Sequence, residues 1–165
     1  MKNIKSTIIA TSASEGKILN IAGGTYRIVV SGQETNNDFA VIEMTVPPGA
    51  GPVPHSHANI HESFYVVDGE IDFISEKGVI SADKATTVTI PKGGEVHCFK
   101  NNSTSEATLL CTVIPAGLDL FFMEVAAFLE EAKIVNKDQL NIKKGVAAIS
   151  QKFGQELLSP DYFTK

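Results

Sequence analysis

The sequence predicts an all-β domain, a small antiparallel barrel or sandwich, closed by a helical tail. Three observations carry this reading. Up to Gly117, short runs rich in Val, Ile, Thr and Phe are separated by Gly, Pro, Asn and Asp clusters. The runs are numerous and evenly spaced, the pattern of sandwiches and small barrels. After Pro115-Ala116-Gly117 the apolar period changes to that of a helix. The 165 residues suit one domain with a sizeable core. It divides into a barrel over 1–117, N-terminal strands included, and a helical tail over 118–165 that packs on the barrel within the same domain.

Strands are expected at 17–21, 26–31, 39–46, 62–67, 71–75, 86–90, 97–100 and 107–114. Pro47-Pro48-Gly49 ends the third, because proline cannot donate to the ladder. Asp68-Gly69 lies between two apolar runs and reads as a tight hairpin turn. Asn101 to Ser105 is a polar turn. Leu118, Phe121, Phe122, Val125 and Leu129 follow helical spacing, with Asp119 as the N-cap. A second helix is expected over 139–158, with Ile142, Val146, Ile149, Phe153 and Leu157 as its apolar stripe. Gly145 and Gly154 are its weak points and Pro160 its stop.

Composition narrows the function classes. Fourteen basic against nineteen acidic residues give a net charge of −5, which argues against nucleic-acid or anionic-membrane partners. No apolar run is long enough to span a bilayer, and the apolar patch after Met1 is too brief for a secretory signal. Cys98 and Cys111 read as free thiols in strands of a cytoplasmic protein.

All four histidines lie between His55 and His97. His55 and His57 are two apart, so on a strand they project to the same face. Glu62 follows at an odd offset, so a bend through Ala58, Asn59 and Ile60 must bring its carboxylate to the same interior. His97 arrives from a distant strand after the Pro91-Lys92-Gly93-Gly94 turn. Imidazole and carboxylate are ligands for first-row divalent metals. His61 neighbours Glu62 and points the other way on a regular strand, as a partly exposed histidine or an outer support to a ligand. Cys98, beside His97, faces away as a packed core thiol. Tyr65 belongs to the outer sheet face, and Glu43 fits either face. Lys92, Lys143 and Lys144 are solvated charges.

These residues resemble the cupin superfamily, specifically its small single-domain quercetin 2,3-dioxygenase-like members. Gly49, His55, His57, Glu62 and Gly69 match the first cupin motif at every spacing. Pro91, Gly93, His97 and Asn101 match the second with two departures. One extra residue separates Gly93 from His97, and Ala85 replaces the leading glycine. The resemblance implies a double-stranded β-helix, a jelly-roll-like barrel with a C-terminal helical tail. It also implies one divalent transition metal (Fe, Mn, Ni, Cu or Zn) held by His55, His57, Glu62 and His97. Glu62 would double as the catalytic proton acceptor.

Met44, Phe64, Phe73, Phe99, Phe121 and Phe122 are candidates for an apolar substrate pocket above the ion. The expected function is a dioxygenase acting on a small aromatic or enol-bearing substrate, and the family suggests a homodimer. The alternatives are a non-catalytic small-molecule-binding or sensor cupin, and a Lewis-acid metal isomerase or hydrolase.

Overall fold

Strict alternation of apolar and polar residues commits one face of each central strand to the interior. The computed structural model describes residues 7–164. In β3 (Ala40–Val46) the side chains of Ala40, Ile42, Met44 and Val46 are buried, and in β10 (Ala107–Ile114) those of Ala107, Leu109, Cys111 and Val113. These strands pair antiparallel in one six-stranded sheet. Its other members are β1 (Lys17–Ile21), β2 (Gly24–Val30), β5 (His61–Asp68) and β8 (Thr87–Ile90), in the order β1-β2-β3-β10-β5-β8.

The facing sheet has five strands in the order β11-β4-β9-β6-β7. They are β4 (His55–His57), β6 (Glu70–Ser75), β7 (Gly78–Asp83), β9 (His97–Lys100) and β11 (Gln155–Leu157). Phe64 from the first sheet meets Phe73 and Phe99 from the second at centroid distances of 5.2 and 5.6 Å, which fills the space between them.

The helices are α1 (Leu118–Ile134) and α2 (Gln139–Lys152). Helix α1 lays Leu118, Phe121 and Val125 into the core cluster alongside β1 and β3. Asp138 caps α2, accepting from Asn141 N at 2.9 Å. Among the described residues no helix is long and apolar enough to cross a membrane.

Four features depart from the sequence expectations. Asp68-Gly69 joins no hairpin, because β5 and β6 lie in different sheets. Gly69 has φ +78° and turns the chain from one sheet to the other, while the real hairpin pairs β6 with β7. β7 itself was not expected: it is an edge strand with a nearly all-exposed pattern, so it carries no alternation. Asp119 is not the N-cap of α1. That position falls to Gly117, and the buried Asp119 carboxylate accepts from Gly117 N at 3.0 Å and Gly32 N at 2.9 Å. The second helix stops at Lys152 rather than continuing to 158. Gly154 takes φ +72° and redirects the chain into β11, which pairs with β4.

Gly69 offers a test of the crossover. Gly49 and Gly69 have nearly the same φ, +77° and +78°, but a Cβ on Gly69 would lie 2.8 Å from Glu106 O while one on Gly49 meets nothing within 4 Å. Gly49→Ala should cost about 1 kcal/mol, from backbone strain alone. Gly69→Ala should cost clearly more, about 2–4 kcal/mol, measured by urea unfolding. Equal losses would mean that the close approach at the crossover is not a real constraint.

Candidate metal centre

Strands β4 and β9 pair at one position, His55 with His97, which sets the two imidazoles side by side with centroids 4.4 Å apart. His57, two residues along β4, shares their face and lies 4.8 Å from His97. The turn at Ala58-Asn59 then carries the chain across to the other sheet, where Glu62 points inward from β5. Gly93 N donates to Ala58 O at 3.1 Å and Lys92 N to His61 Nδ1 at 3.2 Å, so the loop before His97 is tied to the turn before Glu62. The extra residue between Gly93 and His97 is absorbed in that loop. His61 is spent on this tether and stands outside the cluster.

The two motifs are also stitched together at their far ends. Gly49 N donates to Asn101 O at 2.7 Å, and Asn101 N to Ala50 O at 3.0 Å. The buried Asn101 amide reaches Val46 O and Ser105 O, both at 2.8 Å. Ala85 adopts φ +71°, the left-handed conformation that a glycine at this motif position would supply.

His55, His57, Glu62 and His97 place one ligand atom each within 4.8 Å of all the others. With metal–ligand bonds of about 2.1 Å, atoms in one shell lie about 3–4.2 Å apart, so the cluster is close to the size of one shell. The tautomers suit ligation. His55 Nδ1 donates to Val53 O at 2.9 Å and His97 Nδ1 to Glu95 O at 2.8 Å, since a carbonyl only accepts. Each ring therefore keeps its Nε2 lone pair for the interior.

One Glu62 oxygen, Oε2, lies 2.7 Å from His57 Nε2 and 3.3 Å from His97 Nε2. A lone pair on His97 facing a carboxylate requires a cation between them or a second proton on the ring. His57 Nδ1 is buried without a hydrogen-bond partner among the described residues. The cluster is thus able to bind a metal ion, and its donor set fits one.

The electrostatics agree. Burial would raise the Glu62 carboxyl, but in the metal-free cluster hydrogen bonds from protons on the Nε2 atoms of His57 and His97 outweigh it and bring the group to about 2. Burial opposes a charge on His57, yet the Glu62 carboxylate wins and its pKa rises. His55 is pushed down to about 4 by burial and by His97, which keeps it neutral. The Cys111 thiol, 3.9 Å from Glu62 Oε1, is raised by burial and by that carboxylate, and stays protonated. Both cysteines are free, in β9 and β10.

His55, Glu62 and His97 open on a cavity of about 340 Å³. Met44, Phe64, Phe99, Phe121 and Phe122 form much of its wall. Phe73 does not reach it and packs behind Phe64 and Phe99. Tyr26, Ser150 and Gln155 also line the wall but were not singled out from the sequence. Tyr26 reads there as an ordinary strand aromatic, and Gln155 falls inside the over-extended helix. No lysine or arginine lines the cavity among the described residues. Glu43 faces outward and pairs with Arg27 at 3.0 Å, and Tyr65 is exposed.

Residues 42–113 match the family model described as the cupin domain. The matched segment contains His55, His57, Glu62 and His97. Among solved structures, a predicted oxalate decarboxylase from Thermotoga maritima aligns with TM-score 0.58 and 21% identity, covering 65% of this chain and 99% of that one. The polyketide cyclase RemF from Streptomyces resistomycificus aligns with TM-score 0.58 and 19% identity, covering 66% and 80%. An RmlC-like cupin from Shewanella frigidimarina also aligns with TM-score 0.58, at 16% identity, covering 69% and 96%. At these identities the likeness is one of fold. No curated protein shows significant similarity to the chain.

His57→Ala or Glu62→Ala should sharply reduce metal occupancy in elemental analysis while circular dichroism retains a folded β-protein. Unchanged occupancy would remove those residues from the ligand set. In chelator-treated protein, Glu62 has a folded pKa of about 2 against an ordinary 4.5. Its stabilisation is therefore present above about 4.5 and lost as pH falls toward 2. Glu62→Gln should flatten the fall in unfolding free energy across that window; identical slopes would contradict the buried charge network.

Proposed function

We propose that this cupin is a metal-dependent dioxygenase acting on a small aromatic or enol-bearing molecule, with His55, His57, Glu62 and His97 as its metal ligands. The observation that carries the reading is the junction of the ligand cluster with an apolar, largely aromatic cavity that has no cationic side chain in its wall. An oxalate or sugar phosphate would find no buried counter-charge beyond the ion itself, whereas a flat neutral ring would bury its faces against Phe64, Phe99, Phe121 and Phe122. When bound, a divalent transition metal (Fe, Mn, Ni, Cu or Zn) would supply Lewis acidity and, in the redox-active cases, a route to oxygen chemistry.

The chain's own residues do the rest. Met44 and the phenylalanines orient the ring and exclude water. The ionised Glu62 carboxylate accepts the proton of a substrate hydroxyl. The free edge of β1, with Ile18 exposed, supports assembly as a homodimer. The charge balance and the two free buried thiols support a cytoplasmic setting.

The same apolar cavity would also suit a non-oxidative, metal-assisted conversion such as an isomerisation or hydrolysis, a reading favoured by the fold likeness to a polyketide cyclase. Anaerobic loading with each metal, followed by oxygen uptake with a panel of flavonols and dihydroxy-aromatics, separates the possibilities. The dioxygenase reading expects oxygen consumption that tracks substrate loss with a redox-active metal and none with zinc. Conversion by the zinc form without air would replace it with Lewis-acid chemistry, and tight binding with unchanged release would replace it with a sensor.

A further inference from the structure

The tail strand β11 places one buried polar side chain against the cavity, with no hydrogen bond from its Nε2 among the described residues. β11 pairs with β4 in the register Gln155 with His57, Glu156 with Ser56 and Leu157 with His55. Directly opposed residues share a face, so Gln155 and Leu157 project inward with the two ligand histidines, while Glu156 is exposed. Gln155 is 7% exposed and lines the cavity, and its Nε2 is buried without a hydrogen-bond acceptor among the described residues. Orphaned buried donors are rare because each forfeits its bond to water. Ser150, another polar group of the tail wall, is different: its hydroxyl donates to Val146 O at 2.9 Å.

We propose that Gln155 is a specificity-determining residue, donating from Nε2 to an oxygen acceptor on a neutral ring compound held in the cavity. The ligand class follows from the wall: an uncharged, largely apolar ring system bearing a carbonyl or similar oxygen. The tail is then part of the binding site rather than an external brace. A leucine or methionine at 155 would fill the same space without an unsatisfied donor. This inference rests on reading the cavity as the substrate site.

The test uses zinc-loaded full-length protein, in which binding is measured without turnover. Tetralin and 1-tetralone are ring-matched probes that differ by one carbonyl oxygen. Calorimetric titration of wild type and Gln155→Leu should give about a tenfold loss of affinity for 1-tetralone and none for tetralin. The variant's ligand-free Tm should be no lower than that of wild type, because an orphaned donor has been removed. Gln155→Met repeats the comparison if leucine disturbs the short β11.

Equal effects on both probes, no effect on either, or failure of both to bind wild type would overturn the assignment. If the probe preference depends on Gln155 but no metal form consumes oxygen, the dioxygenase reading fails and this assignment stands.

Discussion

The carboxylate of Glu62 is buried between two sheets, with imidazole nitrogens of His57 and His97 at 2.7 and 3.3 Å from one of its oxygens. A charge in that position must be compensated, and each compensating group belongs to the facing sheet. The site is therefore also a seam. β4 and β9 bring the histidines from the five-stranded sheet, β5 brings Glu62 from the six-stranded one, and the bond from Gly93 to Ala58 O holds the two approaches together. Ligation by a cation would satisfy the lone pairs and the carboxylate at once, so the cluster is able to hold a metal ion.

The tail matters for the same reason. Helix α1 packs its apolar face along β1 and β3, and α2 returns the chain so that β11 can pair with β4, the strand that carries His55 and His57. The wall of the cavity and the backing of the ligand strand are thus one structure. Tyr26 from β2 stacks edge-to-face on Phe122 of α1, with centroids 5.0 Å apart, so barrel and tail also meet across the cavity itself.

Much of this was legible in the chain because alternation is a strong signal wherever one face is buried. β1, β9 and β10 fall where their apolar patterns put them, and the remaining central strands lie within two residues of expectation. The ligand cluster was legible because its residue types are few and their spacing is constrained. Other features left no such trace. β7 is exposed along nearly its whole length, so nothing in its composition demands a strand. Asp68-Gly69 announces a turn but not which sheet the chain enters next, and Gly69 there lies close against Glu106 and Ala107 of the loop and strand it passes. β11 has only three residues, and Gly154 was visible only as a flaw in a helix. Gln155 could not be found without knowing where that helix stops.

X-ray absorption spectroscopy of the protein loaded with one equivalent of cobalt or nickel reads the donor atoms around the ion. The expected spectrum is that of a single stoichiometric site whose inner shell contains three imidazoles with oxygen donors, with one imidazole lost in His97→Ala. A shell of solvent oxygens alone, or a spectrum unchanged by that substitution, would contradict the convergence of the two sheets on a common ion.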